Sequence, residues 1–206
     1  MEKVLIIGVP RAGTTSVVRA FKYLDYLTVN EPLWIQSDRD HFEKGIQSIK
    51  HLLLKNRPQA VKFTTPQYPH YPKLNREERD RWWKELISLF DKTILLDRKD
   101  YEDHLISYCN LQQRYKANVD VRAKYDVNTV EVDRSYEKWL NEDKKELQYI
   151  SRATKLPIYY YEDIFYGDAK KVYKEWGYDI SDAMTDYLSP KHRYRTEGVV
   201  ERTSLL

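Results

Sequence analysis

The sequence predicts an α/β chain: a mostly parallel central sheet flanked by helices, three layers in all. Three observations carry this. Short apolar runs at Val4–Val9, Gln59–Phe63, Lys92–Leu96 and Leu156–Tyr160 have the length and content of buried strands. The stretches between them show helical period with charged outer faces. The first run passes directly into a glycine-containing loop and then into a helical stretch. Strands alternating with helices of this size build a parallel sheet covered on both faces. Ligands of such sheets bind at the carboxyl ends of the strands.

The elements follow in order. Val4–Val9 is the first strand. Thr14–Leu24 reads as a helix with Val17, Val18, Phe21 and Leu24 on one side. Leu27–Asn30 is a short strand stopped by Pro32. Asp38–Lys55 reads as a helix, and Gln59–Phe63 as a strand ended by the Thr64-Thr65-Pro66 corner. Asn75–Phe90 is a helix with Asn75 as its N-cap. Lys92–Leu96 is a strong strand, followed by a helix over Asp100–Lys116. Residues 118–130 are polar and irregular. Asp133–Ala153 is a long amphipathic helix, Leu156–Tyr160 the last strand, and the basic tail after Pro190 a loop.

The bulk properties narrow the function. The chain of 206 residues is most simply one domain, 1–206, with room for a real core. Its charged fraction of 33% implies many solvated helix faces, and no apolar run approaches the roughly 18 residues a bilayer span needs. Met1, Glu2 and Lys3 lead straight into a strand, which is not the pattern of a signal peptide. The single cysteine, Cys109, excludes an internal disulfide and fits a reducing cytoplasm. The net charge of +3 gives no case for a nucleic-acid partner or a membrane surface. Eighteen tyrosines, mostly in the second half, suit either a polar cleft or an aromatic core. His41, His51, His104 and His192 show no metal-ligand spacing and read as structural or solvent-facing. Oligomeric state is not readable.

The first loop carries the strongest chemical signal. Gly8 and Gly13 stand at the spacing of the phosphate-binding pattern G-x-x-x-x-G-K-[ST], but Thr14 replaces the lysine and the loop's cation is Arg11. Backbone N–H groups of a tight loop at a helix start make an anion site. Gly13 allows close backbone approach, Thr14, Thr15 and Ser16 offer hydroxyls, and the Arg11 fork suits an oxygen pair. Without a lysine to grip a β/γ-phosphate chain, the loop fits one phosphate beside a different group.

The segment Pro10, Arg11, Ala12, Gly13, Thr14, Thr15, Ser16 resembles the 5′-phosphosulfate loop of sulfotransferases, typically P-[KR]-[SA]-G-T-[ST]. That resemblance implies a P-loop α/β fold, 3′-phosphoadenosine 5′-phosphosulfate (PAPS) as sulfuryl donor, adenosine 3′,5′-bisphosphate (PAP) as product, and no metal. In the family an arginine ends the third strand and a serine two helical turns later shares the donor's 3′-phosphate. Arg98 and Ser107 match those roles; Lys99 to Ser107 has the commoner spacing, and the bidentate fork favours Arg98. The stretch Tyr161-Glu162-Asp163-Ile164 resembles the family's Y-E-D-[LM] segment, which implies a contact of Tyr161 with adenine; packing is the other reading. Glu162 and Asp163 suit the start of a following helix. A late basic loop closes over the 3′-phosphate in the family, with Arg193 and Arg195 the candidates here, beside Lys191.

The acceptor must lose a proton, so a base belongs near the loop. Residues 30–34, Asn-Glu-Pro-Leu-Trp, resemble the E-P-[LV]-W segment of carbohydrate sulfotransferases, which makes Glu31 the base. Val61 to Pro66 resembles the K-[TS]-H-x-P stretch of phenol and steroid sulfotransferases, except that Thr64 stands for the histidine; Lys62 keeps its place near the sulfuryl group or acceptor, and His70 is the second base candidate. The resemblance implies transfer to a hydroxyl or amine of a polar, possibly glycan, acceptor. The family's carbohydrate enzymes in eukaryotes carry membrane anchors, so a bacterial or viral cytoplasmic enzyme is expected. Two rivals stand beside this: an ATP-Mg small-molecule kinase, with Ile94–Asp97 as its Walker B strand, and a nucleotide-binding module without catalysis.

Overall fold

A run of apolar residues at the N-terminus forms β1 (Lys3–Gly8), buried from Val4 onward because parallel strands flank it on both sides. The computed structural model describes residues 1–30, 40–53, 56–65, 75–116, 129–189 and 198–201. After the loop, α1 (Thr14–Ala20) buries Val17, Val18 and Ala20 on the sheet. It then tightens into a 3-10 turn, Phe21–Leu24, that ends where Asp25 adopts φ 62°. The predicted single helix is therefore two pieces. Next come β2 (Leu27–Asn30), α2 (Asp40–Leu52) and β3 (Gln59–Thr64), whose six residues are all buried.

The segment after residue 74 starts α3 (Arg76–Ser88) with the expected cap. Asn75 accepts from the Glu78 N–H at 3.0 Å and the Glu78 carboxylate accepts from the Asn75 N–H at 2.9 Å. Then follow β4 (Lys92–Asp97), α4 (Tyr101–Lys116), β5 (Thr129–Val132), α5 (Glu137–Thr154) and β6 (Ile158–Tyr160). Three short helices, α6 (Tyr161–Phe165), α7 (Ala169–Glu175) and α8 (Asp182–Leu188), and a last strand β7 (Gly198–Glu201) complete the described chain.

The main sheet has the order β2-β3-β1-β4-β6, all parallel. Its register sets Gly8 beside Thr64 on one side and Leu96 on the other, Asn30 beside Lys62, and Asp97 beside Tyr160. One rim of the sheet therefore collects the ends of all five strands, with the loop after β1 at its centre. Two expectations need correction. The tail is not all loop: β7 pairs in parallel with β5, Thr129 opposite Gly198. The irregular stretch also closes sooner than expected, since β5 begins at Thr129. Among the described residues, no helix is long and apolar enough to cross a membrane.

Candidate functional site

The loop between β1 and α1 is a sharp turn. Ala12 N–H donates to Val9 O at 3.0 Å, and Arg11, a non-glycine residue, sits at φ 70°. Gly13 follows at φ 80° as the N-cap of α1. A Cβ on Gly13 would lie 2.7 Å from both Tyr161 Cδ2 and Phe165 Cε2, so aromatic packing as well as dihedral demands glycine here. Gly8 is required by proximity alone: a Cβ there would meet the Thr14 methyl and lie 2.8 Å from Leu96 O. As the first residues of α1, Thr14 and Thr15 have N–H groups with no acceptor inside the helix.

The hydroxyl-bearing residues differ in exposure. Thr14 is buried, its methyl against Gly8, whereas Thr15 and Ser16 are half-buried. Thr15 Oγ1 accepts from Lys62 Nζ at 2.9 Å, which explains how a lysine sits at 7% exposure inside a buried strand. Arg11 is exposed and donates through Nε to Ser107 Oγ at 3.0 Å. Two motifs 96 residues apart in sequence thus meet. Ser107 has been given a donor by that contact, and its own O–H is left to donate.

The end of β4 is densely tied. Asp97 Oδ1 accepts from Lys144 Nζ at 2.7 Å and from the Arg98 N–H at 2.8 Å, and Lys144 also donates to Arg98 O at 2.9 Å. A carboxylate so held by an ammonium is poorly suited to be the Mg²⁺ ligand of a Walker B strand. Arg98 is 8% exposed. Its guanidinium lies 4.2 Å from the centroid of the Tyr161 ring, and Nη1 donates to Asp103 O at 3.2 Å. Nε faces Glu162 at 3.9 Å without a hydrogen bond. Lys99 points elsewhere: it is exposed and pairs with Asp163 at 2.5 Å. Arg98 is therefore the cation that Tyr161 connects to Gly13, although its partners are Asp103, Glu162 and Tyr161 rather than Ser107.

Tyr161 is half-buried, packed on Phe165 at 4.5 Å between centroids. Glu162 and Asp163 do occupy the first turn of α6, yet Glu162 does more than face that helix. Its carboxylate accepts from the N–H groups of Lys99 at 2.9 Å and Asp100 at 3.4 Å, so α6 also fixes the approach to α4.

His104, whose sequence context reads as structural or solvent-facing, is fully buried, in keeping with the structural reading. Its Nε2 lies 2.7 Å from Pro10 O, so Nε2 carries the proton and donates to the loop. Its Nδ1 has no hydrogen-bond partner and faces Asp97 Oδ1 at 3.7 Å. Burial pushes its pKa down to about 3; the Pro10 contact opposes this, and the cations Lys144, Arg98 and Arg11 add to it. The imidazole is neutral at ordinary pH. Sequence reasoning missed Lys144 and gave His104 no tie to the loop. His104 lies between Arg98 and Ser107 and Lys144 lies well beyond them, and only tertiary packing brings both to the rim.

Of the remaining candidates, Glu31, His70, Arg193 and Arg195 lie outside the described residues. Asn30, just before Glu31, ends β2 in register with Lys62. Among the described residues no group of three or more His, Cys, Asp or Glu side chains could hold a metal ion.

No family model and no curated protein sequence matches the chain. Solved structures do. A mouse sulfotransferase, SULT7A1, complexed with PAP, matches with a TM-score of 0.52 at 12% identity. The match covers 91% of this chain but 62% of that one, so the chain spans less than two thirds of the neighbour's length. A gluconokinase from Sinorhizobium meliloti 1021 matches with a TM-score of 0.34 at 16% identity, over 75% of this chain and 95% of that one. At 12% identity the likeness to the sulfotransferase is one of fold, and the chain shares with it a P-loop α/β architecture built on a parallel central sheet.

Proposed function

We propose that this chain is a single-domain PAPS-dependent sulfotransferase, moving a sulfuryl group to a hydroxyl or amine of a polar acceptor, a glycan among the candidates. The observation that carries the reading is the contact of Arg11 Nε with Ser107 Oγ at 3.0 Å, which joins the two anion-binding motifs at one rim. The residues present fit such a donor. Arg98 Nε is buried without a hydrogen-bond partner beside the loop's aromatic neighbour Tyr161, and the loop itself carries Arg11 and three hydroxyls. That chemistry suits an anion at each end of an adenosine.

Each residue then has a task. The N–H groups at the start of α1, with Arg11, Thr15 and Ser16, hold the 5′ phosphosulfate, and Pro10, Ala12, Gly13 and Thr14 shape the loop around it. Arg98 and Ser107 hold the 3′-phosphate, with Arg193 and Arg195 closing over it. Tyr161 flanks the adenine. Bound there, PAPS supplies a sulfuryl group whose S–O bond to the 5′-phosphate breaks as the acceptor oxygen or nitrogen bonds sulfur. Glu31 takes the acceptor's proton, and Arg11 meets the charge gained by the phosphate oxygen. Lys62, held by Thr15, steadies the sulfuryl side. This reading requires no metal and goes with a cytoplasmic bacterial or viral setting.

Thermal stability tests this against the kinase reading. PAP at about one hundred times its Kd adds about 2.7 kcal/mol to the native state. For a chain of this length that raises Tm by about 5–10 °C. Mg-ATP is expected to give no comparable rise; stabilisation by Mg-ATP alone would exclude a sulfotransferase. Glu31→Gln is expected to keep the PAP-induced shift and to lower turnover of labelled PAPS at least a hundredfold. Unchanged turnover would remove Glu31 from the reaction.

A further inference from the structure

The loop holds an arginine where its backbone favours glycine. Val9, Pro10, Arg11 and Ala12 form a four-residue turn closed by the Ala12 N–H to Val9 O bond of 3.0 Å, with all peptides trans. Proline at the first central position and φ 70° at the second define a type II turn. Type I and type II turns differ chiefly in the orientation of the central peptide, here Pro10–Arg11. Proline suits both types. An arginine at the second position prefers type I, where φ is about −90°. The local sequence therefore leans towards the turn that is not observed.

The Pro10 carbonyl supplies the reason. Its oxygen lies 2.7 Å from His104 Nε2, a ring with no solvent exposure on α4. A flip to type I would turn that oxygen away and leave a buried N–H without an acceptor. Three residues on, one helical turn along α4, Ser107 Oγ receives Arg11 Nε. One helix thus grips the loop twice, at the Pro10 carbonyl and at the Arg11 side chain. We propose that His104 is a positioning residue that holds the Pro10–Arg11 peptide in the type II orientation and so presents Arg11 to the donor.

The test separates the turn from the chemistry, because only its second half rests on the sulfotransferase reading. The first half measures Tm for wild type, His104→Leu, Arg11→Gly and the double variant. With Arg11 the turn freed of His104 can relax to type I and recover its strain, whereas glycine at this φ has no strain to recover, so the Tm loss from His104→Leu should be larger in the Arg11→Gly background. An equal or smaller loss with glycine overturns the proposal. The second half measures PAP affinity. His104→Leu should weaken it about tenfold, and His104→Gln, which keeps a donor near Nε2, should restore it to within about threefold. Equal affinity in both variants and wild type overturns the proposal. If His104→Leu fails to fold, His104→Gln and nitrogen NMR of the wild-type ring remain. A His104 Nε2–H signal protected from exchange is expected, and an Nδ1–H tautomer overturns the assignment. A wild-type protein indifferent to PAP would overturn the sulfotransferase reading, and the Tm cycle would still decide the role of His104.

Discussion

Gly13 condenses the residue-scale lesson. Its place in a phosphate-loop pattern was readable, and the expected reason was close approach of backbone to an anion. The structure adds a second reason, since Tyr161 and Phe165 fill the space a Cβ would need. Gly13→Ala should therefore destabilise the chain by about 2–4 kcal/mol, combining left-handed strain with displaced rings. Urea unfolding checks this; a loss under about 1 kcal/mol would mean that the rings move aside freely. Arg98 shows the complementary case. Its identity as a rim cation was legible from its position after a strand. Its stacking on Tyr161 was not, because the two residues lie on different strand–helix units.

At the scale of elements, legibility followed length and local chemistry. The capping box of α3 was half visible as Asn75, because capping is decided by residues three apart. Asn75→Ala should cost about 1 kcal/mol while leaving PAP affinity unchanged, since no residue assigned to PAP lies on α3. Parallel urea titrations with and without PAP read both. The short helices α7 and α8 escaped the periodicity reading, since seven residues span barely two turns, whereas the acidic pair Glu162 and Asp163 marked the start of α6. Their caps were the available signal: Asp168 accepts from the Lys171 N–H at 3.0 Å and Ser181 from the Met184 N–H at 3.2 Å. The pairing of β5 with β7 had no local signal, because four-residue strands so far apart in sequence are chosen by tertiary contact.

For the whole molecule, the two ends of the sheet carry opposite characters. The rim after the strands holds the β1–α1 loop with the Arg11–Ser107 contact. The opposite end holds a tyrosine–carboxylate network, where Glu2 accepts from Tyr26 and from Tyr178 and pairs with Lys92 at 3.3 Å. Burial tends to raise the Glu2 pKa, but the hydrogen bonds from Tyr26 and Tyr178 and the Lys92 charge bring it below its ordinary value. Burial and the Glu2 contact push Tyr26 up to about 12. Both ends shape the pH profile. A depressed His104 leaves the native state with fewer protons than the unfolded chain between pH 6.5 and about 3, so stability falls as pH falls through that window. Glu2 steepens the loss below about pH 4.5, and Tyr26 withdraws stability as pH rises from about 10 to 12. Tm measured from pH 7 to 5 should decline in wild type and flatten in His104→Gln; parallel declines would remove His104 as the cause. The sequence by itself determined the strand–helix alternation, the parallel sheet and the tight glycine loop after β1. These rest on hydrophobic period and on residues within a few positions of one another. Tertiary structure alone decided the strand order, the β5–β7 pair, the Arg11–Ser107 contact and the grip of His104 on Pro10. Each depends on where long stretches of chain return, which no local pattern encodes.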